Sequence, residues 1–303
     1  MFADQFPSDL ETAAVVALLR RGDRHWHHYA AAIESADSAL AVLRGEYDDE
    51  AGTHALQLFP KAEPIDVELE PIVNEIDSWR REEIDVITIL DPRYPMNLRT
   101  IHNRPPLLFV RGELTPEDEI SIAIVGTRKP SRTALDLTRA TAARIADAGY
   151  TVVSGLAAGI DTAAHQAALE RGRRTVAVIG TGIRRTYPAA NAALQHQLGE
   201  ESAVVSQFWP DAPPTRQTFP MRNIVMSGLA LATLVIEASN VSGARMQARF
   251  ALEHGRPVFL MESLLEHEWA QEYAERPGTY VVRSADEVLA RVDRLRSIEA
   301  LSV

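Results

Sequence analysis

From residue 121 onward the chain repeats one unit: a short apolar run that stops at a glycine or small polar residue, followed by a segment of helical periodicity. Strands are expected at 122–125, 151–154, 175–179, 203–206, 233–237, 257–261 and 279–282. Helices are expected at 134–148, 162–171, 189–198, 221–229, 245–254 and 285–296. Strands that are apolar throughout and alternate with amphipathic helices belong to a mostly parallel sheet covered on both faces. The expected fold class is α/β and doubly wound, with a helical addition at the N-terminus.

That addition is read from residues 9–44, where apolar positions recur at helical spacing and break near Gly22. Residues 45–85 are acidic and carry Pro60, Pro64 and Pro71, so they are expected to form a connection with some local structure. Two further strands are expected at 86–90 and 105–112. The chain thus divides into an N-terminal helical and acidic region, 1–85, and a sheet domain, 86–303.

Net charge is −11 over 303 residues, but it is unevenly spread. Residues 1–115 hold 11 basic against 21 acidic side chains, residues 116–262 hold 15 against 13, and residues 263–303 hold 5 against 8. The glycine-rich middle is therefore mildly basic and can present a positive face to a polyanion. Zero cysteines exclude disulfides, thiolate catalysis and sulfur-ligated metals. No apolar run approaches the ~20 residues that span a bilayer, and the first residues lack a signal-peptide pattern, so a cytoplasmic protein is expected.

Two loops carry the chemistry. Ile124-Val-Gly-Thr-Arg128 closes the first sheet strand, where Gly126 would admit a phosphate to the backbone and Thr127, Arg128 and Lys129 would supply donors. Ser154-Gly-Leu-Ala-Ala-Gly159 repeats this at the next strand, with Ser154 and Gly155 aimed at the same edge. Gly180 and Gly182 start a dinucleotide-like turn, but Arg184 and Arg185 follow where a third glycine is needed, which speaks against a nicotinamide cofactor. Phe219-Pro-Met-Arg-Asn223 puts an aromatic ring, an arginine and an asparagine close together, suited either to stacking a base and gripping phosphate or to filling the interior and satisfying carbonyls. Ser242 and Gly243 would open another helix N-terminus onto this edge. Ser154, Asp161 and His165 could suggest a hydrolase triad. Asp161 is better placed as the N-cap of the following helix, with His165 one turn on. His25, His27 and His28 do not converge on a metal. No catalytic, cofactor or metal site is expected.

Taken together, these residues resemble the DprA/Smf family of DNA-processing proteins. The match runs from about Val86 to Leu260 and includes Tyr94-Pro95, Val125-Gly-Thr-Arg128, Ser154-Gly-Leu-Ala-Ala-Gly-Ile-Asp161, Tyr187-Pro188, Phe219-Pro-Met-Arg-Asn223 and Ser242-Gly243. The resemblance implies a Rossmann-like domain related to the Lonely Guy phosphoribohydrolases. It also implies a non-enzymatic homodimer that holds single-stranded DNA at the strand ends and acts with a RecA-type recombinase. Arg128, Arg216, Arg222 and Asn223 fall on family motif positions. Ile224 stands where the family usually has a second arginine, and Ala244-Arg-Met-Gln247 replaces a more usual Ser-Leu-Ile-Thr. Two alternatives stay open: a nucleotide sensor or phosphoribohydrolase-like enzyme, although no Pro-Gly-Gly-x-Gly-Thr loop is present, and a defence or toxin–antitoxin component with a toxin-like partner.

Overall fold

In a computed structural model, residues 7–46, 68–240 and 242–300 are described. Four helices come first: α1 (Asp9–Arg21), α2 (Trp26–Ala36), α3 (Ala39–Arg44) and α4 (Glu70–Arg81). Gly22 ends α1 in the left-handed region at φ 69°, which explains the break in the apolar pattern. Glu11 then binds α1 to α3, its carboxylate accepting from the amides of Ala39 (2.6 Å) and Leu40 (3.1 Å) at the next helix start.

Strand β1 (Asp85–Thr88), the short helix α5 (Met96–Arg99) and β2 (Leu107–Gly112) lead into the alternating part. It runs β3 (Ser121–Val125), α6 (Arg132–Asp147), β4 (Thr151–Ser154), α7 (Ile160–Glu170), β5 (Thr175–Val178), α8 (Ala192–Glu201) and β6 (Ala203–Ser206). It continues with α9 (Thr218–Leu229), β7 (Ala232–Val235), α10 (Gly243–Glu253), β8 (Val258–Met261), α11 (Glu268–Ala274), β9 (Thr279–Val282) and α12 (Ala285–Ala300). The nine strands form one sheet in the order β1-β2-β6-β5-β4-β3-β7-β8-β9. The block from β6 to β9 is parallel, and β1 and β2 close its β6 edge in antiparallel register. The doubly wound α/β expectation is met, and each strand is found within a residue or two of its expected place.

Topology determines where a ligand can sit. The chain builds outward from β3 through β4 and β5 to β6, then returns to lay β7 against the other side of β3. Loops leaving β3 and β7 therefore diverge to opposite faces of the sheet and leave a crevice beyond their carboxyl ends.

Three expectations need correction. Residues 70–81, expected as connection, form α4. Pro71 sits in its first turn, where no amide donor is needed, and Ile72, Ile76 and Trp79 are buried at helical spacing. The rest of that acidic stretch, 47–67, lies outside the described residues. Helix α9 begins at Thr218 rather than 221, so the Phe219-to-Asn223 motif is its opening turn and not a loop ahead of it. Helix α11 was not expected at all. The N-terminal helices pack on the sheet through aromatic rings: Trp79 lies 5.2 Å from Phe109, and Trp26 lies 5.7 Å from Trp209, between ring centroids.

Candidate functional site

The crevice at the β3/β7 switch point is a cleft of about 510 Å³. Its rim is tied together by backbone: the Thr127 amide donates to the Glu237 carbonyl (2.7 Å), and the Ser131 amide donates to the Glu237 carboxylate (2.9 Å). This fixes the loop that carries Arg128 and Lys129, both exposed, with Arg216 facing them from the loop before α9. Among the described residues none of these three cations has a carboxylate at ion-pair distance. Several other arginines are neutralised: Arg174 by Asp118 (2.7 Å), Arg20 by Glu75 (2.6 Å), and Arg184 by Glu82 (2.7 Å) and Asp211 (2.6 Å). The N-terminus of α10 closes the far side. There Ser242 caps the helix by accepting from the Ala244 amide (3.1 Å), and Gly243 adjoins open space. A helix start adds positive potential to the three side-chain charges.

A smaller pocket of about 130 Å³ adjoins the cleft, sharing Arg128, Phe219 and Arg222 and adding Gly155, Gly180, Tyr187 and Pro188. Arg128 lies over the Phe219 ring, 5.1 Å from its centroid, and the Tyr187 ring lies 5.5 Å from it, tilted by 46°. Gly180 makes this possible, because a Cβ there would come within 2.8 Å of Phe219. Tyr187 is 43% exposed, an unusual state for a large aromatic side chain.

Arg222 takes the interior-filling role that the sequence left open for it. It is 6% exposed, and its Nη1 donates to the carbonyls of Gly155 and Val178, the latter at 2.8 Å. Burial lowers its pKa, and the neighbouring charge of Asp161 opposes that shift. Asp161 is buried in the cleft floor. Desolvation raises its carboxyl pKa, and Arg222 pulls it back. Asn223 belongs to the same floor and donates to the Gly243 carbonyl (3.4 Å), linking α9 to the start of α10.

Ten expected residues therefore line the main cleft: Gly126 through Lys129, Arg216, Phe219, Arg222, Asn223, Ser242 and Gly243. Gly155 and Gly180 line its neighbour. Ser154 and Gly182 do not belong. The Ser154 hydroxyl is fully buried and donates to the Ile124 carbonyl (2.6 Å), and Gly182 is required by the Trp209 and Pro210 carbonyls, which its Cβ would meet at 2.2 and 2.3 Å. The stated reasons for two glycines also change. A Cβ on Gly126 would meet Ile160 at 2.5 Å, and one on Gly155 would meet Arg222 at 1.7 Å, so both serve close packing. Asp161 is not the N-cap of α7. That position is Gly159, and Asp161 reaches back to the Ala157 amide (3.4 Å). His165 is fully buried against Thr175 (2.7 Å), and burial depresses its pKa to about 3, so Ser154, Asp161 and His165 form no triad. Sequence reading missed Tyr187 and the cleft position of Asp161 as site features.

A doubly wound, mostly parallel sheet with a cationic cleft at its switch point places the chain in the class of Rossmann-like α/β folds. Within that class its place is specific: the family described as DNA recombination-mediator protein A matches residues 85–293, and the chain belongs to it. It is 38% identical to the DNA processing protein DprA of Streptococcus pneumoniae over 213 residues, 68% of this chain and 73% of that one. It is 34% identical to DprA of Bacillus subtilis (62% of this chain, 64% of the relative) and 37% identical to protein Smf of Escherichia coli (65% and 53%). It thus spans only about half of the E. coli relative. The X-ray structure of S. pneumoniae DprA superposes with a TM-score of 0.71 at 30% identity, covering 94% of this chain and 98% of that one. DprA from Helicobacter pylori, whose structure was described for its single-stranded DNA binding mode, shares the fold with a TM-score of 0.60 at 23% identity, covering 70% and 96%. Among the described residues no helix is long and apolar enough to cross a membrane.

Proposed function

We propose that the chain binds single-stranded DNA in this cleft. The observation that carries the reading is that three cations without a carboxylate at ion-pair distance among the described residues, Arg128, Lys129 and Arg216, line one cleft with the Phe219 ring. Phosphate-tracking charge beside stacking surface is what an unpaired strand offers purchase to, because its bases are free to turn onto a ring while its backbone follows the guanidinium groups. The S. pneumoniae, B. subtilis and H. pylori relatives, all called DNA processing protein A, support the same reading.

The role is that of a binder rather than an enzyme. In support, the Ser154 hydroxyl is committed to the Ile124 carbonyl and His165 is sealed in the interior, so neither can act on a strand in the cleft. The family's description as a recombination mediator supports a role in recombination. We extend that reading to a homodimer of this chain that presents the strand to a RecA-type recombinase in the cell interior.

The test is fluorescence anisotropy with a labelled oligothymidylate, competed by the unlabelled strand, by the same strand in a duplex and by nucleoside monophosphates. A cleft of this volume is also in the range of small-ligand sites, so the monophosphate arm matters. The single strand alone should compete effectively. Competition by a monophosphate at comparable concentration would give the site to a small nucleotide instead.

A further inference from the structure

The rim of the sheet does not end at the cleft. Beyond Tyr187, the loop 180–188 after β5 runs alongside the loop 207–217 after β6, and the two are laced together. The Gly182 amide donates to the Ala212 carbonyl (2.9 Å), the Arg184 amide to the Pro210 carbonyl (3.0 Å), and Arg185 Nε to the Asp211 carbonyl (3.3 Å). The Arg185 carbonyl is itself held by Gln195 (3.0 Å) and Thr181 (3.4 Å). These hydrogen bonds anchor the loop that carries Arg185 and Tyr187 beside Phe219.

Charge along it is unequal in a telling way. Arg184 is neutralised by Glu82 and Asp211, whereas Arg185 is exposed and has no carboxylate at ion-pair distance among the described residues. On the opposite side of the cleft the rim turns acidic. Beyond β8, residues 262–283 hold five glutamates against two arginines, Arg276 and Arg283, and among the described residues only Glu262 of the five is ion-paired, with Arg283 (2.7 Å). A polyanion leaving the cleft is repelled on the β8 side and drawn along the β5–β6 side.

Building on the single-strand reading, we infer that the strand exits the cleft over the exposed ring of Tyr187 and that Arg185 holds the next phosphate toward the N-terminal helices. Tyr187 supplies a stacking face, and Arg185 a preplaced charge on an anchored loop. Arg185 lies beyond the cleft that holds the first nucleotides. Its contribution therefore grows with strand length, which separates this track from the cleft itself.

The experiment compares oligothymidylates of about four and about twelve nucleotides, spanning the usual site sizes, across a salt series. Proteins are wild type, Arg185→Ala, Arg128→Ala, and Arg276→Ala as a cation on the β8–β9 side. The Arg185 side chain is exposed, so a melting curve like that of wild type is expected for Arg185→Ala. It should bind the short strand as wild type does and the long strand about tenfold more weakly, with a salt slope shallower by about 0.7. Arg276→Ala should change neither. Unaltered binding of the long strand by Arg185→Ala, or a length-dependent loss in Arg276→Ala, overturns the track while leaving the cleft in place. If Arg128→Ala instead bound both lengths like wild type, the cleft reading would fall and the track with it.

Discussion

The Arg128 guanidinium lies 5.1 Å from the centroid of the Phe219 ring, so one residue from the β3 loop and one from the first turn of α9 form a single charged and aromatic surface. A carboxylate partner would have drawn Arg128 to one side. The ring instead holds it over the cleft with its donors free.

Replacing Arg128 should therefore weaken binding by removing a phosphate contact and by loosening the ring. Arg128→Ala is expected to lose about 10–100-fold in affinity, the worth of a hydrogen bond to a charged group. Arg128→Lys should recover part of the loss through charge but not the forked geometry. Anisotropy titration of both variants at one salt concentration checks this ordering.

Gly155→Ala should damage the protein rather than only the site. The added methyl would fall 1.7 Å from Arg222 Nη1, displacing a buried guanidinium from the Gly155 and Val178 carbonyls. Leaving buried acceptors without donors costs about 1–3 kcal/mol each, so a clear drop in melting temperature is expected. A melting temperature equal to that of wild type would mean that Arg222 is not pinned in this way.

Gly180→Ala separates binding from stability. Its Cβ would press on the edge of the Phe219 ring at 2.8 Å, and that ring is only half-buried and can turn away. Affinity for single-stranded DNA should fall by about fivefold, the low end of a stacking contribution, with a nearly unchanged melting temperature.

Acid should destabilise the fold through histidines held neutral by their surroundings. Burial lowers the pKa of His165 to about 3 and that of His254 to about 4, the latter with help from His102 and Arg256. In the unfolded chain both take up protons near pH 6.5. The unfolded state therefore binds more protons between pH 6.5 and about 4, and stability present above that window is lost as pH falls through it. Asp161, whose pKa is raised by burial, acts in the opposite sense. Melting temperature measured across the window should decline toward acid, and less steeply in His254→Gln.

Much of this architecture is legible in the residues. Each strand is an apolar run ended by a breaker, and Arg128, Arg216 and Phe219 could be assigned to one surface because their strands had to end on the same edge. What stayed hidden depends on packing between distant segments. Gly126 and Gly155 read as openings for phosphate, yet the spaces beside them are filled by Ile160 and Arg222, from other helices. Ser154 ends a strand like any exposed turn residue, and nothing local shows its hydroxyl turned inward to Ile124. Helix α4 was concealed by Pro71 and by its acidic flank, although Ile72, Ile76 and Trp79 already carried its period. Tyr187 looked like the entry to a helix, because only the fold brings Phe219 beside it.

The salt dependence of binding tests the central claim most directly. Wild type and the triple variant Arg128→Ala/Lys129→Ala/Arg216→Ala would be titrated with an oligothymidylate at several salt concentrations, and log K plotted against log salt. Each phosphate neutralised on a single strand contributes about −0.7 to the slope, so removing all three cations should make it shallower by about 2 and weaken binding at every salt concentration. Parallel lines of equal affinity would show that the strand is held elsewhere.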